Sequence, residues 1–330
     1  MDVKLFEKLL QQQLISETEL AKIKTQQQQP VSVHWDMRTL LYLGILLLTT
    51  GLGIVVYKNI DTIGHDVIIV IIAVACAGCF GYCLKNARGY SNKKIESPNI
   101  WFDYVLLLGC VLLLTFVAYI QYQYNVFSNR LGLATFMPMV LLFITAYYFD
   151  HLGVLSLAIT NLAAWAGISA TPLQILQQND FNNEQVIYTG LLLGAGLAGV
   201  SFFSKMQNIK THFAFTYKNF GVHILFISCL AAMFYFKNIY LIWFAVLAGI
   251  TFFFFKNALK ENSFYFLVIT GLYAYIGLSY VVIKFLLLAG DSMGAVYLGL
   301  IYFIASGIGL IRLFIYYNKI LKKNDSISYN

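Results

Sequence analysis

Three cysteines in the segment ACAGCFGYC could bind a soft metal ion. Cys76, Cys79 and Cys83 are spaced at i, i+3 and i+7, so a helix would place their thiols on one face. Thiolates favour Cu(I) or Zn²⁺. A structural zinc site needs four ligands, and the flanks supply no fourth ligand at a convincing position, since His65 lies at the far end of the segment. We therefore interpret the cysteines as small residues for close helix packing, and we predict no metal site and no cofactor.

Two sets of polar and aromatic residues at helical spacing could line a solute cavity. Their members are Asn161, Trp165 and Ser169 in one segment, and Tyr273, Tyr280 and Lys284 in another. An amide in hydrocarbon needs a hydrogen-bond partner, which is either a neighbouring helix or a solute. The tyrosines and the lysine could face a cavity open to the outside. They could equally form an interfacial aromatic belt with a snorkelling lysine.

The segment YTGLLLGAGLAGVSFF is rich in small residues. Gly190 and Gly194 form a GxxxG pair, and Ala195 with Gly199 continues the pattern. Such faces allow two helix backbones to approach closely in lipid. We predict a helix-packing role for these four residues, and a moving or substrate-facing interface is the alternative.

The sequence offers little for catalysis. No Asp, Glu or Arg lies at the middle of an apolar segment, which argues against a proton pump or a carboxylate-coupled antiporter. Walker A, dinucleotide-binding, HExxH and G-x-S-x-G motifs are absent, so we predict no catalytic residue and favour a non-enzymatic role. We interpret the adjacent pair Asp150-His151 as turn chemistry.

The elements that must position these residues are membrane-spanning helices. The chain is 59% hydrophobic and only 11% charged, whereas soluble domains carry about 25% charged residues. A span needs about 20 mostly apolar residues. On this basis we predict ten spans, near residues 39–57, 66–84, 101–120, 131–149, 151–170, 186–204, 219–236, 238–255, 263–288 and 293–317. Tight hairpin turns are predicted at Phe149-Asp150-His151 and at Phe236-Lys237-Asn238.

The basic residues predict the orientation of the chain. With the N-terminus inside, seventeen Lys and Arg residues lie on the inner side and three, Lys58, Arg130 and Lys237, on the outer side. This positive-inside bias predicts that both termini are cytoplasmic. It also explains the net charge of +7 without nucleic-acid binding. The composition suggests a multi-pass protein of the bacterial plasma (inner) membrane.

The polar opening LLQQQLISETELAKIKTQQQQP, residues 9–30, predicts a small helical hairpin. Ser16 and Glu19 form a capping box that starts its second helix, and Pro30 closes that helix. We predict a cytoplasmic amphipathic hairpin at 1–30, an interfacial linker at 31–38, a transmembrane domain at 39–317 and a basic cytoplasmic tail at 318–330. The hairpin could rest on the membrane domain, self-associate or bind a protein partner.

The stretch LLQQQLISETELAKI resembles the opening of a widespread bacterial family described only as predicted membrane proteins of unknown function. In that family the hairpin precedes about ten spans, the first of which is Gly-rich, as LYLGILLLTTGLGIVV is here. The resemblance implies an all-α, polytopic membrane helix bundle. It transfers no catalytic or binding residue, because the family's function is unassigned.

Two functions remain open. The first is transport of a small neutral or lipid-like solute, which the ten spans, the Gly-rich spans 1 and 6, and the polar faces of spans 5 and 9 favour. The second is a non-transporting scaffold or regulatory component that acts through its cytoplasmic hairpin. The absence of midspan acidic residues and arginines favours this second function.

Overall fold

The computed structural model describes residues 34–58, 64–127, 131–170, 183–288 and 292–328. Their regular structure is entirely helical. The helices are α1 (His34–Lys58), α2 (His65–Asn86), α3 (Ile100–Tyr124), α4 (Leu131–Phe149), α5 (Leu152–Ala170), α6 (Glu184–Gln207), α7 (Ala214–Tyr235), α8 (Tyr240–Lys260), α9 (Phe264–Leu288) and α10 (Ser292–Ser328), with a 3-10 turn at Thr211–Phe213. The predicted hairpin at 1–30 lies outside the described residues.

The prediction of an all-α, polytopic membrane protein is confirmed. Within the described ranges, nine helices, α2 to α10, are long and apolar enough to cross a membrane, and α1 contains a shorter apolar segment, Thr39–Val55. Each of the ten predicted spans corresponds to one helix. Large apolar side chains cover the outside of the bundle; Leu192, Phe252 and Leu288 are each more than 70% exposed, as expected where lipid is the solvent.

Helices α7 and α10 extend beyond the spans predicted for them. Helix α7 begins at Ala214 rather than near residue 219, and α10 continues to Ser328 rather than ending near 317. In both places the helix includes basic residues, such as Lys218 and Lys319, that a hydropathy criterion excludes. Backbone hydrogen bonding does not stop where apolarity stops, so hydropathy locates the lipid-embedded part better than the end of a helix.

Both predicted tight turns are present. Asp150, followed by His151, connects Phe149, the last residue of α4, to Leu152, the first residue of α5. Its φ of 58° is left-handed, and the N–H of His151 donates to the carbonyl of Ala146 at 3.1 Å, closing the end of α4. Residues 236–239 connect α7 to α8.

The chain divides into two compact units, residues 1–68 and 69–330. In the larger unit α4 packs against α5, α6 against α7, and α8 against α9, and α7 also contacts α5, α8 and α9. Helix α7 is the most enclosed of the described spans. In its apolar stretch 61% of the residues are buried, against at most 33% in any other described span. Its side chains enter both buried cores, one formed with α3 to α6 and the other with α6, α8, α9 and α10.

Candidate functional site

Buried ion pairs bring several connections together at one end of the bundle. We call this end, formed by residues 87–99, 150–151, 208–213 and 261–263, the basic end. The carboxylate of Asp150 is fully buried. Its Oδ2 accepts the backbone N–H of Ile95 at 2.6 Å, and its Oδ1 lies 2.7 Å from both Lys210 Nζ and His212 Nε2. The α4–α5 turn is thus joined to the α2–α3 and α6–α7 connections.

A second buried acid lies near the first. Asp103, at the beginning of α3, accepts the hydroxyl of Ser97, and its Oδ1 is 3.8 Å from His151 Nε2. His151 Nδ1 accepts the N–H of Val154 at 3.1 Å. In the neutral ring the proton is therefore on Nε2, facing the Asp103 carboxylate. The pair Asp150-His151 does form a turn, but its side chains also anchor two other segments.

A third acid pairs with two lysines. Glu261, just after α8, binds Lys205 of α6 at 2.5 Å and Lys218 of α7 at 2.7 Å. The ammonium of Lys218 is also 4.4 Å from the centre of the Phe266 ring. Burial alone would raise the pKa of the Glu261 carboxyl, but hydrogen bonds from the two lysines outweigh burial and hold this pKa below its ordinary value.

Glycines place α7 directly against α6. A Cβ atom on Gly194 would lie 2.6 Å from the backbone N of Leu225, and one on Gly221 would lie 2.7 Å from the N of Ala198. Gly190 faces Ser228 of α7 in the same way. The two backbones are therefore in contact, the arrangement that small residues allow in lipid. Of the other two predicted packing residues, Ala195 is exposed and Gly199 has open space at its Cβ position.

A histidine and a tyrosine meet at mid-depth in the bundle. His223 Nδ1 lies 2.8 Å from the hydroxyl of Tyr273, and the Tyr273 ring stacks on Phe226 at 5.1 Å. His223 in α7 and Tyr273 in α9 each lie nine residues into helices that begin at the basic end. At 1.5 Å per residue both are about 14 Å from that end, a little less than half-way along each helix.

Hydroxyl groups lie at comparable depth. Thr251 in α8 is also nine residues from the basic end of its helix, about 14 Å away, and Thr270 in α9 is completely buried. Neither threonine hydroxyl has a hydrogen-bond partner within the described residues. Thr251 lines an open, apolar groove of about 360 Å³ between α8 and α9. An imidazole, a phenol and two hydroxyls can bind carbonyl or hydroxyl groups of a ligand without requiring a charge.

The first predicted polar face points towards α4. The amide of Asn161 donates to the backbone carbonyl of Thr135 at 3.3 Å, three residues before Pro138. Pro138 has no N–H to donate to the carbonyl of Ala134, so a helical hydrogen bond of α4 is missing next to the carbonyl that Asn161 binds. The Trp165 ring is 5.5 Å from that of Phe136. The hydroxyl of Ser169 is 3.2 Å from a Cβ built on Gly132.

The second predicted face points towards α7 and α8. Tyr273 binds His223, and the Tyr280 ring lies 4.7 Å from Phe234 and 5.9 Å from Tyr240. Lys284 is near the opposite end of α9 from the basic end, with its Nζ 5.8 Å from the centre of the Tyr280 ring. The two predicted faces thus contact different neighbouring helices.

The cysteine face of α2 packs on α3. Cys76 Sγ is 3.6 Å from the carbonyl oxygen of Gly109, and Cys79 Cβ would be 3.0 Å from a Cβ on Gly109. Cys83 and Cys110 are both completely buried in one core. Among the described residues, no group of three or more His, Cys, Asp and Glu side chains is placed to hold a metal ion.

Sequence reasoning missed three features of the site. His223 was detectable as the histidine at the centre of its apolar segment. The ion pairs Lys210–Asp150 and Lys218–Glu261 could not be detected in the sequence, because the two residues of each pair are 60 and 43 positions apart, respectively. Two of the basic residues that were counted only to predict the orientation of the chain, Lys210 and Lys218, therefore have buried ammonium groups.

Residues 7–155 match the sequence model of a family described as "Predicted membrane protein (DUF2157)". The predicted resemblance to a family of predicted membrane proteins of unknown function is confirmed over this range, while the N-terminal hairpin stays a prediction. The match extends from the segment before α1 into the first residues of α5, and the family description assigns no molecular function. Searches of curated proteins and of solved structures gave no match.

Proposed function

We propose that this integral membrane protein transports a small neutral or lipid-like solute along α7, α8 and α9. The observation that carries this proposal is the His223–Tyr273 pair at mid-depth in the most enclosed helix. Ionisable residues at membrane depth are costly and tend to mark solute or ion pathways. We further propose that the membrane is a bacterial plasma membrane and that the basic end is cytoplasmic, on the positive-inside rule.

The neighbourhood of the pair supports a neutral ligand. Asp103, Asp150 and Glu261 are paired with lysines or histidines, and the polar groups near the middle of α7, α8 and α9 include an imidazole, a phenol and two threonine hydroxyls. The two hydroxyls have no partner within the described residues, so a solute carbonyl or hydroxyl could satisfy them. The apolar groove beside Thr251 suits the hydrocarbon part of a lipid-like molecule.

Water access at mid-depth distinguishes a pathway from a packed bundle. We expect Thr270→Cys, a nearly isosteric change at a completely buried site, to react with a membrane-impermeant thiol reagent in intact vesicles. The matched control is Leu272→Cys, two residues along α9 and 44% exposed to the lipid side, which we expect to remain unlabelled. The unmodified protein gives the background from its five native cysteines. Equal labelling of the two variants would contradict a pathway.

A ligand screen tests the solute directly. A bound solute raises the free energy of unfolding by RT ln(1 + [L]/Kd), and the melting temperature rises with it. We expect a neutral compound that stabilises the purified protein to lose this effect in His223→Phe and to retain it in Tyr280→Phe, because Tyr280 packs nearby without bonding His223. Counterflow of the same compound in proteoliposomes then measures transport.

The scaffold function has one observation in its favour. Asn161 and Trp165, which the sequence placed on a candidate cavity face, make their described contacts with α4. On this alternative, deletion of residues 1–30 abolishes capture of a protein partner while the melting temperature of the membrane domain is retained. Retained capture after this deletion would contradict the scaffold function.

A further inference from the structure

We propose that the α2–α3 connection is a preformed binding surface for the phosphate groups of anionic phospholipids, and that buried Asp150 sets its shape. We call residues 85–95 the phosphate loop. This inference does not depend on the proposed transport function, since it concerns the surface of the basic end rather than the interior of the bundle.

The phosphate loop carries an excess of unpaired positive charge. Its exposed basic residues are Lys85, Arg88, Lys93 and Lys94. In the described part of the chain no carboxylate forms an ion pair with any of them, whereas Lys205, Lys210 and Lys218 nearby are all paired with acids. Clusters of four or more basic residues next to a membrane span attract anionic headgroups.

Buried contacts hold the loop in one shape. The N–H of Ile95 donates to Asp150, and the N–H of Lys210 donates to the carbonyl of Asn92 at 3.0 Å. The ammonium of Lys210, which is also paired with Asp150, lies 5.1 Å from the Tyr90 ring. The loop therefore rests on a buried ion pair while its own cations face outwards.

Contacts within the loop fix it further. The N–H of Lys93 donates to Ser91 Oγ at 3.1 Å, and the Tyr90 hydroxyl donates to Asn92 Oδ1 at 3.0 Å. Gly89 has a φ of 82°, a left-handed conformation that glycine adopts without strain. These contacts fix the backbone between two exposed cations, Arg88 and Lys93, before any ligand arrives.

The position of the loop favours a lipid over a soluble ligand. Trp101, one residue into α3, is 70% exposed, and Tyr90 in the loop is 57% exposed. Exposed Trp and Tyr side chains concentrate at the headgroup level of a membrane. Apolar Leu84, at the end of α2, is 59% exposed directly before the loop. An acyl chain beside α2 and a phosphate on the loop would satisfy both features.

Charge removal tests the surface. We expect Lys93→Gln/Lys94→Gln in the full-length protein to weaken binding of short-chain phosphatidylglycerol by about 25-fold, at about fivefold per basic residue. The matched control, Lys319→Gln/Lys322→Gln, removes two exposed lysines from α10 and should have little effect. Native mass spectrometry in detergent micelles measures bound lipid, and phosphatidylcholine is the uncharged reference. Equal losses of phosphatidylglycerol binding in the two double variants would overturn the proposal that this surface binds the lipid.

Removal of the anchor tests the shape. Asp150→Asn makes the protein more positive by one charge, so simple electrostatics predicts tighter binding of an anion. We expect weaker binding instead, because the N–H of Ile95 and the ammonium of Lys210 lose their carboxylate. Ser91→Ala, a neutral change near the surface, should also weaken binding, and it retains the buried ion pair if Asp150→Asn fails to fold. Unchanged or tighter binding in the variants that fold would overturn the role of the anchor.

Competition identifies the source of the phosphate. We expect glycerol phosphate to displace phosphatidylglycerol only at a large excess, since it lacks the acyl chains. Displacement at equal concentration would assign the site to a free phosphate compound, and tighter binding of a polyglutamate peptide than of the lipid would assign it to an acidic protein segment. Either result would overturn the proposal of a lipid surface.

Discussion

The imidazole of His223 in α7 is hydrogen-bonded across to α9. Its partner, the Tyr273 hydroxyl, is itself held by stacking on Phe226. Hydrogen bonds between membrane helices contribute about 0.6 kcal/mol on average and up to about 1.7 kcal/mol. The pair is therefore a modest contributor to stability.

Tyr273→Phe should lower the free energy of unfolding by about 1 kcal/mol, because it leaves the imidazole without its partner. Tyr280→Phe, on the same face of α9, should cost less, since ring packing is its main described contact. Denaturant unfolding of the purified variants in one detergent measures both. A double-mutant cycle that combines Tyr273→Phe with His223→Phe measures the coupling energy between the two side chains. A coupling energy of zero would refute the hydrogen bond between them.

Glu261 predicts a dependence of stability on pH. Its pKa is lower in the folded protein than in the unfolded chain because Lys205 and Lys218 bind the carboxylate. The resulting stabilisation is fully present above the unfolded pKa and is lost as pH falls through the folded pKa.

We therefore expect Glu261→Gln to be less stable than the unmodified protein above about pH 5, and the two melting temperatures to converge as the solution is acidified. Thermal unfolding at a series of pH values tests this expectation. A difference between the two proteins that grows towards low pH would contradict it. Glu96→Gln, at an exposed acid of the basic end, is the control.

At the scale of elements, the contact between α6 and α7 depends on glycine at defined positions. The backbone of α7 fills the space where a side chain of α6 would otherwise lie. The sequence identified the GxxxG pattern, yet it could not separate Gly194, which touches Leu225, from Gly199, which faces open space. Spacing assigns residues to a face of a helix, while the crossing point along that face depends on the partner.

Gly194→Ala should destabilise the protein by about 1–3 kcal/mol, because the new methyl group meets backbone atoms that cannot rotate away. Gly199→Ala adds the same methyl group to the same helix where no atom lies within 4 Å, and it should be neutral or slightly stabilising. Melting temperatures of the two variants give the comparison. Equal effects would mean that α6 and α7 are not in backbone contact.

At the scale of the whole molecule, the helices were predictable because burial in lipid imposes a simple requirement of length and apolarity. The described helices follow the ten predicted segments for this reason. The ion pairs of the basic end were not predictable, since Lys210 meets Asp150 only after two helices, α5 and α6, have folded between α4 and the α6–α7 connection. The midspan histidine was visible, but its partner depended on the packing of α9 against α7.

The threading of the chain remains a prediction with a direct test. A cysteine placed within 171–185 should react with an impermeant reagent added outside intact cells, because this loop is predicted to be external. Lys93→Cys should react only after the membrane is opened. Reversed reactivity of the two positions would invert every inner and outer assignment.

Helix α7 contributes Tyr217 to one buried core, and Val222 and Phe226 to the other. Neither of the two cores can therefore unfold while the other keeps its native contacts, because unfolding one core displaces α7 and removes the α7 side chains from the other core. The consequence is cooperativity: residues 69–330 should lose structure in a single transition, and a fragment ending before α7 should not fold by itself.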